Sequence, residues 1–114
     1  MKIKNAASGQ CIRVRHAEVL VDGEIFTSNL RKAEASITYI CREGDQEFTP
    51  ELTTMGFRYA RVQGIDPKDL EITAQVVSSL GAPTGGFSCS NQLLNQLQKN
   101  IQWGARSNFV DIPT

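Results

Sequence analysis

C-I-R-V-R-H-A-E-V-L-V, residues Cys11 to Val21, has the alternation that decides the class of this fold. Ile12, Val14 and His16 fall on one side, Arg13 and Arg15 on the other, and branched residues fill the run. A period of two with that composition is a half-buried β-strand. Asp22-Gly23 follows it and is a strong hairpin dipeptide, because the two central positions of a tight hairpin turn need positive φ. A second short strand is expected over Glu24–Thr27. His16, with apolar neighbours on its own face, reads as a packed or hydrogen-bonded structural histidine in preference to an acid-base group.

The same pattern recurs downstream. Ser36–Arg42 alternates Ile37, Tyr39 and Cys41 with Thr38 and Ile40, and stops at the polar Glu43-Gly44-Asp45 turn. Glu47–Pro50 is short and broken by its proline. Gly56–Val62 gives a strong strand with Phe57, Tyr59 and Arg61 on one side. Gly64–Lys68 is a loop carrying Pro67, and Leu70–Ser79 reads as a long last strand. Five or six strands at this spacing predict a mainly β fold, an antiparallel β-sandwich of jelly-roll type, over residues 1–80.

Residues 81–89, with Pro83 among glycines, read as a linker. Beyond it the period changes. Leu93, Leu94, Leu97 and Ile101 fall on one stripe of a 3.6-residue repeat, with Gln92, Gln96, Gln98, Lys99 and Gln102 on the other faces. One C-terminal amphipathic helix is predicted, from Ser90 as N-cap to about Arg106. Its leucine stripe is a packing face in want of a partner.

Composition narrows the function classes. Twelve basic and twelve acidic residues cancel, and no basic run stands out, so nothing points to nucleic acid or an anionic membrane. There is neither an 18-residue apolar stretch nor a signal core after Met1, which makes the cytoplasm the expected location. Three cysteines, Cys11, Cys41 and Cys89, and a single histidine lack metal-ligand spacing, so no metal or other cofactor is expected. Cys11 and Cys41 are expected to be buried thiols.

The string F-S-C-S-N-Q-L-L-N, then N-I-Q-W, then R-S-N-F-V-D-I-P-T, running from Phe87 to Thr114, closely resembles the start of the catalytic domain of bacterial α-L-rhamnosidases. These are inverting glycoside hydrolases that remove terminal rhamnose. Gly9-Gln10, Ile12 to Leu20 and Asp22 to Ala33 resemble the sandwich domain that precedes that catalytic domain. So do Thr38-Tyr39-Ile40, Phe48-Thr49-Pro50 and Gly56 to Gly64. The resemblance covers essentially the whole chain, in the family's order. It departs at Met55, where the family usually has histidine, and a D-x-G-Q-N-type string of the family is absent before Ile3.

The resemblance implies that residues 90–114 are the first helix and tail of a six-hairpin α/α barrel. It also implies that the catalytic acidic motif, of the type D-C-P-x-R-D-E, belongs after Thr114. Both ends then cut through family elements, and a truncated, non-catalytic piece of the enzyme is expected. Inverting hydrolysis needs two carboxyl groups about 6.5–9.5 Å apart, one protonated and one ionised. The twelve acids here are scattered without a spacing that forces any pair together, so no catalytic residue is assigned within the chain.

Asp111, Asn108 and Trp103 are the candidates to lie near substrate, set against plainer roles for Asp111 as a loop cap or surface charge and for Trp103 as a ring that packs the helix. Leu93, Leu94, Leu97 and Ile101 are the candidate interface with the remainder of the barrel, or with a second copy of the chain. A rhamnose-containing glycan is the candidate ligand. Two other classes stand beside this reading. A stand-alone β-sandwich carbohydrate-binding module would need a strip of exposed aromatic rings, and a pure interaction domain would dock its apolar helix on another subunit.

Overall fold

The computed structural model describes residues 1–111 and divides the chain into two compact units, Met1–Thr73 and Ala74–Thr114. The last three residues of the expected tail, 112–114, lie outside the described residues.

The first unit is a β-sandwich of short antiparallel strands. They are β1 (Lys2–Ala6), β2 (Cys11–Ala17), β3 (Val19–Val21), β4 (Glu24–Phe26), β5 (Ser36–Ile40), β6 (Gly44–Glu47), β7 (Tyr59–Gln63) and β8 (Leu70–Glu71). One sheet has the order β6-β1-β8, the other β5-β2-β7, and β3 and β4 form a separate hairpin. Each three-stranded sheet has a central strand that is buried on one face, as alternation requires. In β2, Ile12, Val14 and His16 are buried and Arg13 is exposed. Ile3 and Ala6 of β1 meet Ile12 of β2 and Cys41 in the core, and Tyr39, Val62, Ile65 and Leu70 pack around them. Ile3 and Ile12 are fully buried. Each contributes about 1.5–3 kcal/mol by burial, so this small cluster accounts for much of what joins the two sheets.

Local chemistry explains several irregularities. Asp22 and Gly23 both have positive φ and join Val21 to Glu24 in register, the geometry of a tight two-residue hairpin. Asn5 takes positive φ where the β1–β6 register slips. Its backbone N–H donates to Asp45 Oδ1 and its side-chain amide to Asp69 Oδ1, which fixes this bulge.

Several expectations are corrected. The Cys11–Val21 run is not one strand: it breaks at Glu18, and Val19–Val21 pairs with β4 instead of β5 or β7. Glu43-Gly44-Asp45 is not a turn alone, since Gly44 and Asp45 open β6. Gly56–Arg58 precede the strand, and β7 begins at Tyr59. Leu70–Ser79 forms a strand only at Leu70–Glu71, which pair with Ile3 and Lys2. Beyond Glu71 the branched residues have no ladder partner among the described residues, and a strand exists only where one is supplied. Of the two cysteines expected to be buried, Cys41 is and Cys11 is exposed, because Cys11 falls on the outer side of the alternation.

The second unit is built around one helix, α1 (Gln92–Asn108). Its N-cap is Asn91, not Ser90: the Asn91 side-chain oxygen accepts from the N–H groups of Leu93 and Leu94. The mainly β fold with one C-terminal amphipathic helix is as the sequence predicts.

Candidate functional site

His16, the one imidazole, is 6% exposed and lies inside the sandwich. Its Nδ1 is 3.0 Å from the Ala35 carbonyl oxygen, which can only accept, so Nδ1 carries a proton. Its ring meets Phe57 at 4.9 Å. This is a structural histidine: it holds Ala35, which has positive φ, in place.

The carboxyl groups are dispersed. Asp69 is half-buried and the other eleven are exposed. Glu24 is paired with Arg61 across the outer side of the sandwich, and the Arg61 hydrogen bond and charge hold the Glu24 carboxyl below its ordinary pKa. Asp66 caps the turn at Pro67–Asp69, and the Lys68 backbone N–H, then its side chain, hold its pKa down as well. A general acid near neutral pH needs the opposite shift, which burial beside apolar groups supplies. Among the described residues no group of His, Cys, Asp and Glu side chains is arranged to hold a metal ion.

In the second unit, Asp111 is the only carboxylate of residues 74–114, so two-carboxylate chemistry has no second member there. Asp111 is exposed, and its backbone carbonyl accepts from Ser79 Oγ at 3.3 Å. Phe109 is tied down beside it by the Ser79 N–H and Ser78 Oγ. Trp103 is exposed with the Arg106 guanidinium 5.0 Å over its ring, so it is not a packed ring. Asn108 closes the last turn, its side-chain amide donating to the Gly104 carbonyl. Asp111, Asn108 and Trp103 are thus held at or just beyond the C-terminal end of α1.

The apolar stripe is open. Leu93 is 81% exposed, and Leu94, Leu97 and Ile101 are each about half exposed. With Phe87 and Gln98, the last three line an apolar groove of about 160 Å³. The segment before the helix is rigidly joined to it: Asn95 accepts from the Cys89 N–H and donates to the Cys89 carbonyl, at 3.0 and 2.8 Å. That places Phe87 beside the first two turns of the stripe.

Two family profiles match the chain. One, described as the bacterial α-L-rhamnosidase concanavalin-like domain, matches residues 1–79, and the bacterial α-L-rhamnosidase six-hairpin glycosidase domain matches residues 82–114. The chain belongs to the bacterial α-L-rhamnosidase family. An α-L-rhamnosidase of Formosa agariphila is 41% identical over 112 residues, which is 93% of this chain and 12% of that protein. The crystal structure of native α-L-rhamnosidase from Aspergillus terreus superposes with a TM-score of 0.87 at 42% identity, covering 99% of this chain and 14% of that one. The α-L-rhamnosidase of Streptomyces avermitilis complexed with L-rhamnose gives a TM-score of 0.87 at 37% identity, covering 99% and 12%. The chain therefore spans about a tenth of the curated rhamnosidases it matches. Its rhamnosidase character rests on both units, because the two profiles together cover nearly every residue.

Sequence reasoning missed one cluster. Arg13 and Arg15 on β2 and Arg61 on β7 share the outer face of one sheet, with Arg15 directly opposite Arg61. Alternation alone places Arg13 and Arg15 outward, but no local signal pairs β2 with β7.

Proposed function

We propose that this chain is the non-catalytic supporting part of an α-L-rhamnosidase, and that the whole enzyme hydrolyses terminal α-L-rhamnose from glycosides. The observation that carries this reading is the exposed stripe of Leu93, Leu94, Leu97 and Ile101 on a helix that matches a six-hairpin glycosidase domain. In this reading the stripe packs on the remainder of that catalytic domain. The two carboxyl groups of an inverting mechanism come from other parts of the enzyme, in keeping with the exposed, scattered carboxylates of this chain. Asp111, Asn108 and Trp103 then lie on the approach to the sugar site. Apart from that domain, the same stripe pairs with a second copy of the chain. The cytoplasm remains the proposed location.

The test is hydrolysis of a chromogenic α-L-rhamnoside by the 114-residue chain beside a longer chain that continues past Thr114, if the gene provides one. Activity in the longer chain alone is expected. Hydrolysis by the 114 residues would overturn the proposal, and Asp111 and Glu18 would be the first residues to replace.

A further inference from the structure

Gly104 stands inside α1 without a local need for a glycine. In a helix interior glycine is the least favourable residue after proline, because it loses the most backbone freedom on folding. Its φ is not positive, and a Cβ added to it would meet nothing within 4 Å outside the helix's own backbone. Alanine would therefore fit there and strengthen the helix. Gly104 lies on the apolar stripe, seven residues after Leu97 and three after Ile101, with Ala105 beside it. The stripe thus runs from large side chains to the two smallest. The Gly104 carbonyl accepts from Ser107 Oγ at 2.9 Å and from Asn108 Nδ2 at 2.8 Å. An apolar neighbour can cover that turn without stranding a hydrogen-bond acceptor.

We propose that a second helix, from the remainder of the catalytic domain, crosses α1 with its backbone closest at Gly104. The groove beside it selects a helix as the occupant. Leu94 and Gln98 form one wall and Leu97 and Ile101 the other, and each pair is four residues apart. That is the groove between neighbouring i±4 ridges, which receives a ridge of another helix. A glycine and an alanine at the end of the stripe let the two backbones approach there, where larger residues would hold them apart. The source of the helix follows from the profile match: α1 lies within the six-hairpin glycosidase match, and the chain spans only 12% of the Formosa relative. The proposal rests on the rhamnosidase reading, and adds to it the element that the stripe receives and the point of closest contact.

Gly104→Ala is made in the 114-residue chain and in a longer chain that continues past Thr114. Where the gene provides none, the Streptomyces avermitilis enzyme carrying this chain in place of its matched segment serves instead. Melting followed at 222 nm is expected to rise by about 4 °C in the 114-residue chain, where helix propensity alone is felt. In the longer chain the same substitution is expected to lower the melting temperature, because the added methyl enters the crossing. Lys99→Ala, on the opposite face of α1, is the control and should shift both chains in the same direction. A rise in both chains with Gly104→Ala, or a fall in the 114-residue chain, overturns the proposal. So does weaker self-association of the 114-residue variant in gel filtration, which would make a second copy the occupant of the crossing. Melting is read without any rhamnoside, so a longer chain that fails to hydrolyse one counts against the rhamnosidase reading and leaves this test in force.

Discussion

A side chain on Gly64 would place its Cβ 2.0 Å from the carbonyl oxygen of Cys11. Gly64 follows β7, Cys11 opens β2, and the closeness of the two backbones lets the sheet close at that edge. Gln10 adds a hydrogen bond from its side-chain amide to the Gly64 carbonyl at 2.6 Å. Gly64 also has φ of +88°, a region that other residues enter at a cost. Neither atom of the contact belongs to a flexible side chain that could swing away.

Gly64→Ala is therefore expected to destabilise the sandwich by roughly 2–3 kcal/mol, from clash and backbone strain together. Urea unfolding followed by far-UV circular dichroism measures it. A loss below about 0.5 kcal/mol would show that the two strands separate freely there.

Asn91 closes the first turn of α1 with two hydrogen bonds from a single side-chain oxygen. Asn91→Ala should cost about 1 kcal/mol, and Asn91→Asp should retain the cap and gain from the positive end of the helix dipole. Helicity at 222 nm on heating distinguishes the two. Ser90→Ala should leave the helix unchanged, and a loss there as large as at Asn91 would return the cap to Ser90.

How far the sequence could be read differs between these elements. The Asp22-Gly23 hairpin was legible because its signal is local: two residues that accept positive φ between two apolar runs. The inward face of β2 was legible for the same reason, since alternation needs no knowledge of partners. The break at Glu18 was not, because Val19–Val21 turns away to pair with Glu24–Phe26 and an apolar run does not say which strand it joins. Ile72–Ser79 failed likewise, having strand composition without a ladder. The leucine stripe was plain in the sequence. The Arg13–Arg15–Arg61 face was not, because it depends on β2 lying beside a strand more than forty positions away.

Glu24 and Arg61 give the sandwich a defined response to acid. Arg61 holds the Glu24 carboxyl below its ordinary value of 4.5, so the pair's contribution is present above that value and is lost as pH falls through the lower, folded-state value. The pair is solvent-exposed, so salt screens it and its effect is small. Melting temperatures of the wild type and Glu24→Gln should differ at pH 7 and low salt and converge below pH 4.5. Parallel curves across that range would show that Glu24 is not stabilised by Arg61.

The open stripe on α1 predicts self-association when the chain is purified alone. Burying several leucine side chains between copies is favourable by about 25 cal/mol for each Å² of apolar surface removed from water. Leu94→Glu places a charge in the middle of the groove and is expected to shift the chain toward monomer in gel filtration. Gln98→Glu, on the groove's polar rim, is the control and should shift it less. An unchanged elution of Leu94→Glu would mean that the stripe is not the associating surface.

The three thiols differ in environment, and their chemistry should follow. Cys41 is buried in the core, where burial, with a smaller contribution from Cys11, pushes its pKa above the ordinary value. Reaction with a disulfide reagent requires both thiolate and access, and Cys41 lacks both in the folded state. Cys11 is exposed and Cys89 half-exposed, its sulfur 3.5 Å from the Asn91 carbonyl. Titration with Ellman's reagent at pH 8 should show two thiols reacting promptly and a third only as the sandwich opens, with its rate rising in urea. Cys41→Ser should remove the slow phase, and prompt reaction of all three thiols would show that the core around Ile3 and Ile12 does not exclude solvent from Cys41.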